Sequence, residues 1–298
     1  MAIKGILGEA LRQWWFEDDI FQLGAALSYY AVFAISPLVV IAVAAAGLVY
    51  GEEAARGELV QQIEQATGPT IAEAIQDLVK HAHVSGAGKL ATFISMALLT
   101  LGATGFFAQL QHSLNHIWGV RARGGRGLWG VAKDRLWSFL MILCLALLLL
   151  VALLLNSSLG LVQQHVPVLG SRIVHWLVSM GLLTLLFSIM YKVLPDVLIS
   201  WRVVWLGAVV TALLFNLGNY LIGLYLAQTS TASAYGAAGS LVVVLAWVYY
   251  SSIVVLFGAE VTEACAKRFG HSVVPTAIAE ADPHSAKGLP GTEDSVAL

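Results

Sequence analysis

A chain of 298 residues is long enough for one or two soluble domains, but its composition excludes them. Only 11% of the residues are charged and 58% are hydrophobic, with a mean hydropathy of +0.79, whereas an average soluble domain is about 25% charged. A net charge of −2 argues against a generally basic nucleic-acid binder, and two cysteines, Cys144 and Cys265, are too few for a disulfide framework or a cysteine metal cluster.

The first segment, 1–19, reads as an interfacial amphipathic helix on the cytoplasmic leaflet. Ile3, Ile6, Leu7, Ala10, Leu11, Trp14 and Trp15 share one helical face, with Lys4, Glu9, Arg12 and Gln13 opposite. Glu9, Arg12, Glu17, Asp18 and Asp19 fall within the first twenty residues, and no apolar stretch follows a basic start. No cleavable signal peptide is expected, so the first span should stay in the mature protein.

Residues 20–270 form the expected transmembrane domain, an all-α polytopic helix bundle. Uncharged runs of roughly 20 residues cross a hydrocarbon core of about 30 Å. Six such runs occur: about Ala25–Tyr50, Leu90–Ile117, Leu136–Leu155, Ile173–Tyr191, Val203–Leu226 and Ala237–Ala259. The full uncharged stretch around the first, Ile20–Gly51, would extend about 48 Å as one helix. Tilt or a break is therefore expected there. Pro37 is read either as an ordinary kink or as the break in a discontinuous helix lining a cavity near Tyr29, Tyr30, Phe33 and Ser36.

Between the first two spans, loop 51–89 is expected to be external and helical, broken at Gly68-Pro69. Its second half opens with the capping-box pattern Thr70-Ile71-Ala72-Glu73, followed by Ile75, Leu78 and Val79 at helical spacing. Twelve of the 16 Lys and Arg residues fall on the side of the loops 118–135 and 192–202 and of the two termini. Cytoplasmic loops collect such residues, which predicts an N-in, C-in topology. Residues 271–298 are poor in large apolar side chains and rich in Pro, Ala, Ser and Gly, and a disordered cytoplasmic tail is expected. No internal repeat marks the chain as an inverted-repeat transporter.

Several stretches together resemble the YihY/BrkB family of bacterial inner-membrane proteins. They are Ala25-Ala26-Leu27-Ser28-Tyr29-Tyr30 with Ser36-Pro37-Leu38, Leu114-Asn115-His116-Ile117-Trp118, Leu194-Pro195-Asp196, Tyr235-Gly236-Ala237, Trp247-Val248-Tyr249-Tyr250 and Gly258-Ala259-Glu260. They occur in the family's order and cover about residues 10–268. The resemblance implies a multi-pass inner-membrane protein. It brings a ribonuclease BN label, a virulence-factor label and descriptions as transporters or envelope-integrity proteins, but no catalytic residues.

Read for chemistry, the residues favour no enzyme. No nucleophile elbow, Walker loop or dinucleotide fingerprint is present, and His112 and His116 lack the glutamate of a metalloprotease helix. No catalytic, cofactor or metal residues are assigned, and neither a cofactor nor a nucleic-acid partner is expected.

Two non-enzymatic readings remain. The first is translocation of a lipid or small amphiphilic, anionic solute. Its path would use Asp18, Asp19, Tyr29, Tyr30, Ser36, Pro37, Asn219, Tyr235, Gly236 and Glu260. Each has an ordinary alternative: Asp18, Asp19 and Glu260 as structural ion pairs, Asn219 as interhelical glue, and 228–240 as a plain external turn. Arg121, Arg123, Arg126, Lys133 and Arg135 would gather anionic lipid headgroups at the cytoplasmic face. The second reading is an envelope scaffold meeting a protein partner through 51–89. Self-association is compatible with either.

Overall fold

A computed structural model of the chain describes residues 2–16, 18–50, 60–61, 63–64, 69–82, 104–122, 172–228, 239–269, 274–276 and 279–282. The described residues are mostly helical: α1 (Ala2–Phe16), α2 (Ile20–Tyr50), α3 (Pro69–Ala82), α4 (residues 104–117), α5 (Arg172–Val193), α6 (Trp201–Gln228) and α7 (Gly239–Arg268). Four short strands complete them: β1 (Val120–Ala122), β2 (Val197–Leu198), β3 (Val274–Pro275) and β4 (Ala279–Ala281).

Three of these helices hold stretches long and apolar enough to cross a membrane: Trp176–Val193, Trp201–Tyr225 and Leu241–Arg268. They coincide with the last three expected runs. The first run falls on α2, the second is described only at 104–117, and Leu136–Leu155 lies outside the described residues. On α6 the large side chains Trp205, Val209, Leu213, Leu217, Leu221 and Leu224 are exposed along one face. So continuous an apolar surface suits hydrocarbon as its solvent.

Local chemistry sets the helix ends. Gly119, at φ 61°, supplies the left-handed residue that stops α4, and its N–H donates to His116 O at 3.0 Å. Pro195 disfavours helix at the residue before it, and α5 ends at Val193. The Ser200 carbonyl accepts from Val203 N (3.1 Å) and Val204 N (3.3 Å) to open α6. At Pro37 the discontinuous reading is corrected, because α2 is one unbroken helix from Ile20 to Tyr50. The proline forfeits one backbone bond, while the uncharged run on both sides favours keeping the rest, since lipid offers the freed groups no other partners.

α7 is the spine of the bundle, packed against α1, α2, α3 and α6, with α5 behind α6. At its C-terminal end α1 buries Ile6 and Ala10, while Leu11 and Trp15 stay exposed. At its N-terminal end α3 sets Ile71, Ala74 and Ile75 against Ala31, Val243, Val244 and Val248. Val248 lies seven residues inside the apolar stretch that starts at Leu241, or about 10 Å at 1.5 Å per residue. α3 is thus inset into the bundle. Its apolar face is covered, and Glu73 lies on the exposed one.

The disordered-tail expectation is corrected for 274–276 and 279–282. β3 pairs antiparallel with β2 (Val197↔Pro275, Leu198↔Val274), and β4 with β1 (Val120↔Ala281, Ala122↔Ala279). The pairing uses main-chain groups, so it needs few large side chains. Thr276 N donates to Asp196 O at 2.9 Å, Asp282 N to Gly119 O at 2.9 Å, and Arg121 meets Glu280 at 2.9 Å. The segment straps the α4 end to the α5–α6 turn. Residues 283–298 lie outside the described residues.

Candidate functional site

A polar clamp lies beneath the bundle interior, at the end that carries the strap. Asn115, on the last turn of α4, donates from Nδ2 to Asp196 Oδ2 at 2.9 Å and accepts from Asp196 N at 2.8 Å. Gln111 Nε2 donates to Asp196 Oδ1 at 3.3 Å. Asn115 and Asp196 are both buried, so each bond is made in a medium that strengthens it and penalises its loss. The clamp joins segments 81 residues apart. Beside it, the Lys192 ammonium donates to the Ile199 carbonyl.

One turn further in, α5, α6 and α7 meet through small residues. Thr211 Oγ1 donates to Gly207 O on its own helix and Thr262 Oγ1 to Gly258 O on its own, each at 2.8 Å. Thr262 lies over Gly207, and Thr211 over Gly258. This is a reciprocal small-xxx-small contact, which lets the two backbones approach closely. The Tyr191 hydroxyl closes the junction from α5, lying 2.7 Å from Val255 O and 2.8 Å from Thr211 Oγ1, so that its single proton has two acceptors within reach.

Above this floor is a partly open cavity of about 310 Å³ between α2, α4, α5 and α7. Its walls are Leu27, Ala31 and Ala34 of α2, Phe106, Phe107 and Leu110 of α4, Phe187 and Met190 of α5, and Trp247, Val248 and Val255 of α7. Among the described residues, Ser251 and Ser252 are its only hydroxylic ones. Ser251 Oγ already donates to Trp247 O at 2.8 Å, and Trp247 Nε1 to Asn219 Oδ1 at 2.8 Å. The lining offers an occupant apolar surface and little else. Among the described residues no three His, Cys, Asp or Glu side chains are grouped to share a metal ion.

The residues expected to form a substrate path do not converge on this cavity. Tyr29 and Tyr30 are exposed and line no part of the cavity: Tyr29 meets Tyr30 and Phe33 edge to face on the side of α2 opposite Leu27, Ala31 and Ala34, and Tyr30 lies at the margin of their face. Tyr30 packs on Gly105, whose absent Cβ leaves room for the ring. Asn219 approaches only indirectly, by fixing the indole of Trp247. Ser36 and Pro37 contribute helical backbone, and Tyr235 and Gly236 lie outside the described residues.

The expected carboxylates sit at the α1 end. Asp18 is buried with Oδ1 3.9 Å from His116 Nε2, and Asp19 is exposed in the left-handed region at φ 44° with its carbonyl opening α2. Glu260 is fully buried on α7. One turn on, Glu263 pairs with Lys267 at 2.7 Å, and the Gln13 amide, oriented by its partners, bridges the two from α1 at 3.2 and 3.1 Å. Of the basic cluster, Arg121 is paired with Glu280, while Arg123, Arg126, Lys133 and Arg135 lie outside the described residues. Trp247, Phe106, Asn115 and Asp196 were missed as site residues. For three of them the signal was present, since Trp247, Asn115 and Asp196 lie in the very stretches that carry the family resemblance.

A family model described as Virulence factor BrkB matches residues 11–282. A UPF0761 membrane protein of Tolumonas auensis is 33% identical over 185 residues, covering 57% of this chain and 56% of that protein. Another, of Alcanivorax borkumensis, is 28% identical over 271 residues, covering 88% and 61%. A third, of Idiomarina loihiensis, is 31% identical over 214 residues, covering 69% and 72%. The chain therefore spans little more than half the length of the first two curated relatives. No solved structure matches it. The family match ends at Asp282, the residue whose N–H fastens the strap to Gly119, so the strap belongs to the shared length. Membrane-length apolar helices and a match over nearly the whole chain lead to one conclusion: this is an integral membrane protein belonging to the BrkB family.

Proposed function

We propose that the protein is a six-span protein of the bacterial inner membrane, with both termini in the cytoplasm, that moves a lipid or small anionic amphiphile across the bilayer. The observation that carries this reading is the partly open apolar cavity between α2, α4, α5 and α7. A bundle built only as a scaffold has no need of unfilled interior volume, because each missing contact weakens it. The reading involves no catalytic step, cofactor or nucleic acid. Its partners are membrane lipids, with anionic headgroups drawn to the basic end.

The orientation draws support from charge placement. Arg12, Arg121, Lys192, Arg202, Lys267 and Arg268 all belong to the end where α1, the strap and the α5–α6 turn meet. That end faces the cytoplasm by the positive-inside rule. In a Cys144→Ser/Cys265→Ser background, a cysteine at Glu64 is expected to react with a membrane-impermeant maleimide in intact spheroplasts, and one at Gly124 only after lysis. The reverse pattern would overturn the orientation.

Transport is tested in proteoliposomes carrying fluorescent anionic phospholipid. The wild-type protein is expected to raise interleaflet flux above that of empty liposomes. Ala34→Phe, which fills the cavity from α2, should return flux to the empty-liposome level while the folded fraction holds. Wild-type flux no greater than background would leave the envelope-scaffold reading, with the exposed Glu73 face of α3 as a partner surface.

A further inference from the structure

We infer that the cavity is a binding site for one hydrocarbon chain of a membrane lipid, taken tail-first, with Trp247 as its wall. The inference rests on the amphiphile reading above and narrows its substrate class. Three observations carry it.

The first is volume. About 310 Å³ lies at the lower limit of small-molecule sites, roughly 300–1,000 Å³. That suits a length of one hydrocarbon chain better than two chains side by side.

The second is satisfied polarity. The Trp247 indole N–H is held by Asn219, the Ser251 hydroxyl by Trp247 O, and the Val255 carbonyl by Tyr191. A headgroup brought inside would lose its water and meet few open donors or acceptors, at the usual cost of an unpaired buried polar group. A methylene chain loses nothing. The occupant therefore enters by its tail and keeps its head outside.

The third is the wall shared with α3. Ala31, Ile35, Phe106, Trp247 and Val248 line the cavity and also belong to the cluster that receives Ile71, Ala74 and Ile75. The cavity thus shares a wall with the seat of α3 and adjoins the α5–α6–α7 junction through Val255, whose carbonyl meets the Tyr191 hydroxyl. Between them the surrounding solvent is the bilayer, in which acyl chains are the abundant apolar species.

The test uses bromine quenching of tryptophan with the full-length protein in detergent. Dibromostearate is titrated into wild type and into Trp247→Phe, and the difference between them isolates the Trp247 emission from that of the other indoles. Most of that emission is expected to be lost saturably, with no comparable loss on adding bromoacetate. Because Trp247→Phe also removes the bond to Asn219, a second arm keeps Trp247 and changes Ala34→Phe, where the saturable component should disappear. Native mass spectra should show one retained fatty acid per chain in wild type and none in Ala34→Phe. A saturable loss unchanged by Ala34→Phe, or no saturable loss, would overturn the site; the latter is the result if the chain's own residues fill the space. Failure of flux with quenching intact would overturn transport and leave the site standing.

Discussion

Gly258→Val is expected to cut the yield of folded, monodisperse protein and its melting temperature sharply, and Gly207→Val to do the same. A Cβ on Gly258 would overlap Thr211 Oγ1 and the Tyr191 hydroxyl, and one on Gly207 would overlap Thr262 Oγ1 and press on the Gly258 carbonyl. Overpacking of a tight core costs about 1–3 kcal/mol when neighbours can yield. Here each neighbour is itself hydrogen-bonded to backbone, so the cost should reach the top of that range, about a hundredfold in the folded-to-unfolded ratio. Gly223→Val is the control, since nothing lies within 4 Å of its Cβ position. Thr211→Ala in the Gly258→Ala background should restore part of the loss, a positive coupling readable in a double-mutant cycle. Size-exclusion profiles and melting curves of detergent-purified variants supply the measurement. Equal behaviour of Gly258→Val and Gly223→Val would refute the close crossing.

Asn115→Leu should be the most damaging single change at the strapped end. It removes the donor to Asp196 Oδ2 and the acceptor of Asp196 N at once. Each buried group left unsatisfied costs about 1–3 kcal/mol, so a loss near 3 kcal/mol is expected. Asp196→Asn should be milder, because an amide can still accept from Asn115 and its main-chain bonds to Asn115 and Thr276 persist. The strap makes a companion prediction. Truncation after Gly270 removes β3 and β4 and should lower the melting temperature, whereas truncation after Asp282 should leave it unchanged. Identical melting of the two truncations would show that the strap contributes no stability. Limited proteolysis should separate them too, with the 192–202 turn cut faster once β3 is gone.

What the amino-acid order disclosed depended on how local the cause was. α2, α5, α6 and α7 were legible because an uncharged run of membrane length leaves the backbone no alternative to helix. α3 was legible through Thr70-Ile71-Ala72-Glu73 and its apolar spacing. Its inset position was not, because spacing gives a face but not the surface that face meets. Asn115 and Asp196 stood in recognisable stretches, yet their pairing spans 81 residues and leaves no periodic trace. The reciprocal Gly207/Thr211 and Gly258/Thr262 spacing was there to be seen, though only the crossing of two helices gives it meaning. Composition misled over 274–276 and 279–282. Scarcity of large apolar side chains weakens burial, but strand pairing on β1 and β2 draws on main-chain groups that need no large side chain, with Pro275 offering its carbonyl alone. The cavity is a property of distances between helices, and no single residue announces it.

The close junction of Tyr191, Thr211 and Gly258 also dictates how such a bundle can move. With side-chain oxygens seated on backbone, α5, α6 and α7 have no compliant layer between them and must travel as one rigid block. Across the cavity, α4 faces that block with the rings of Phe106 and Phe107, whereas α2 is seated on it at Gly24, where a Cβ would come within 3.2 Å of Ile253. The clamp of Asn115 on Asp196 pins one end of this seam and acts as a pivot. A displacement of α4 against the block would be smallest at this pivot and grow away from it, like the mouth of a pair of tongs.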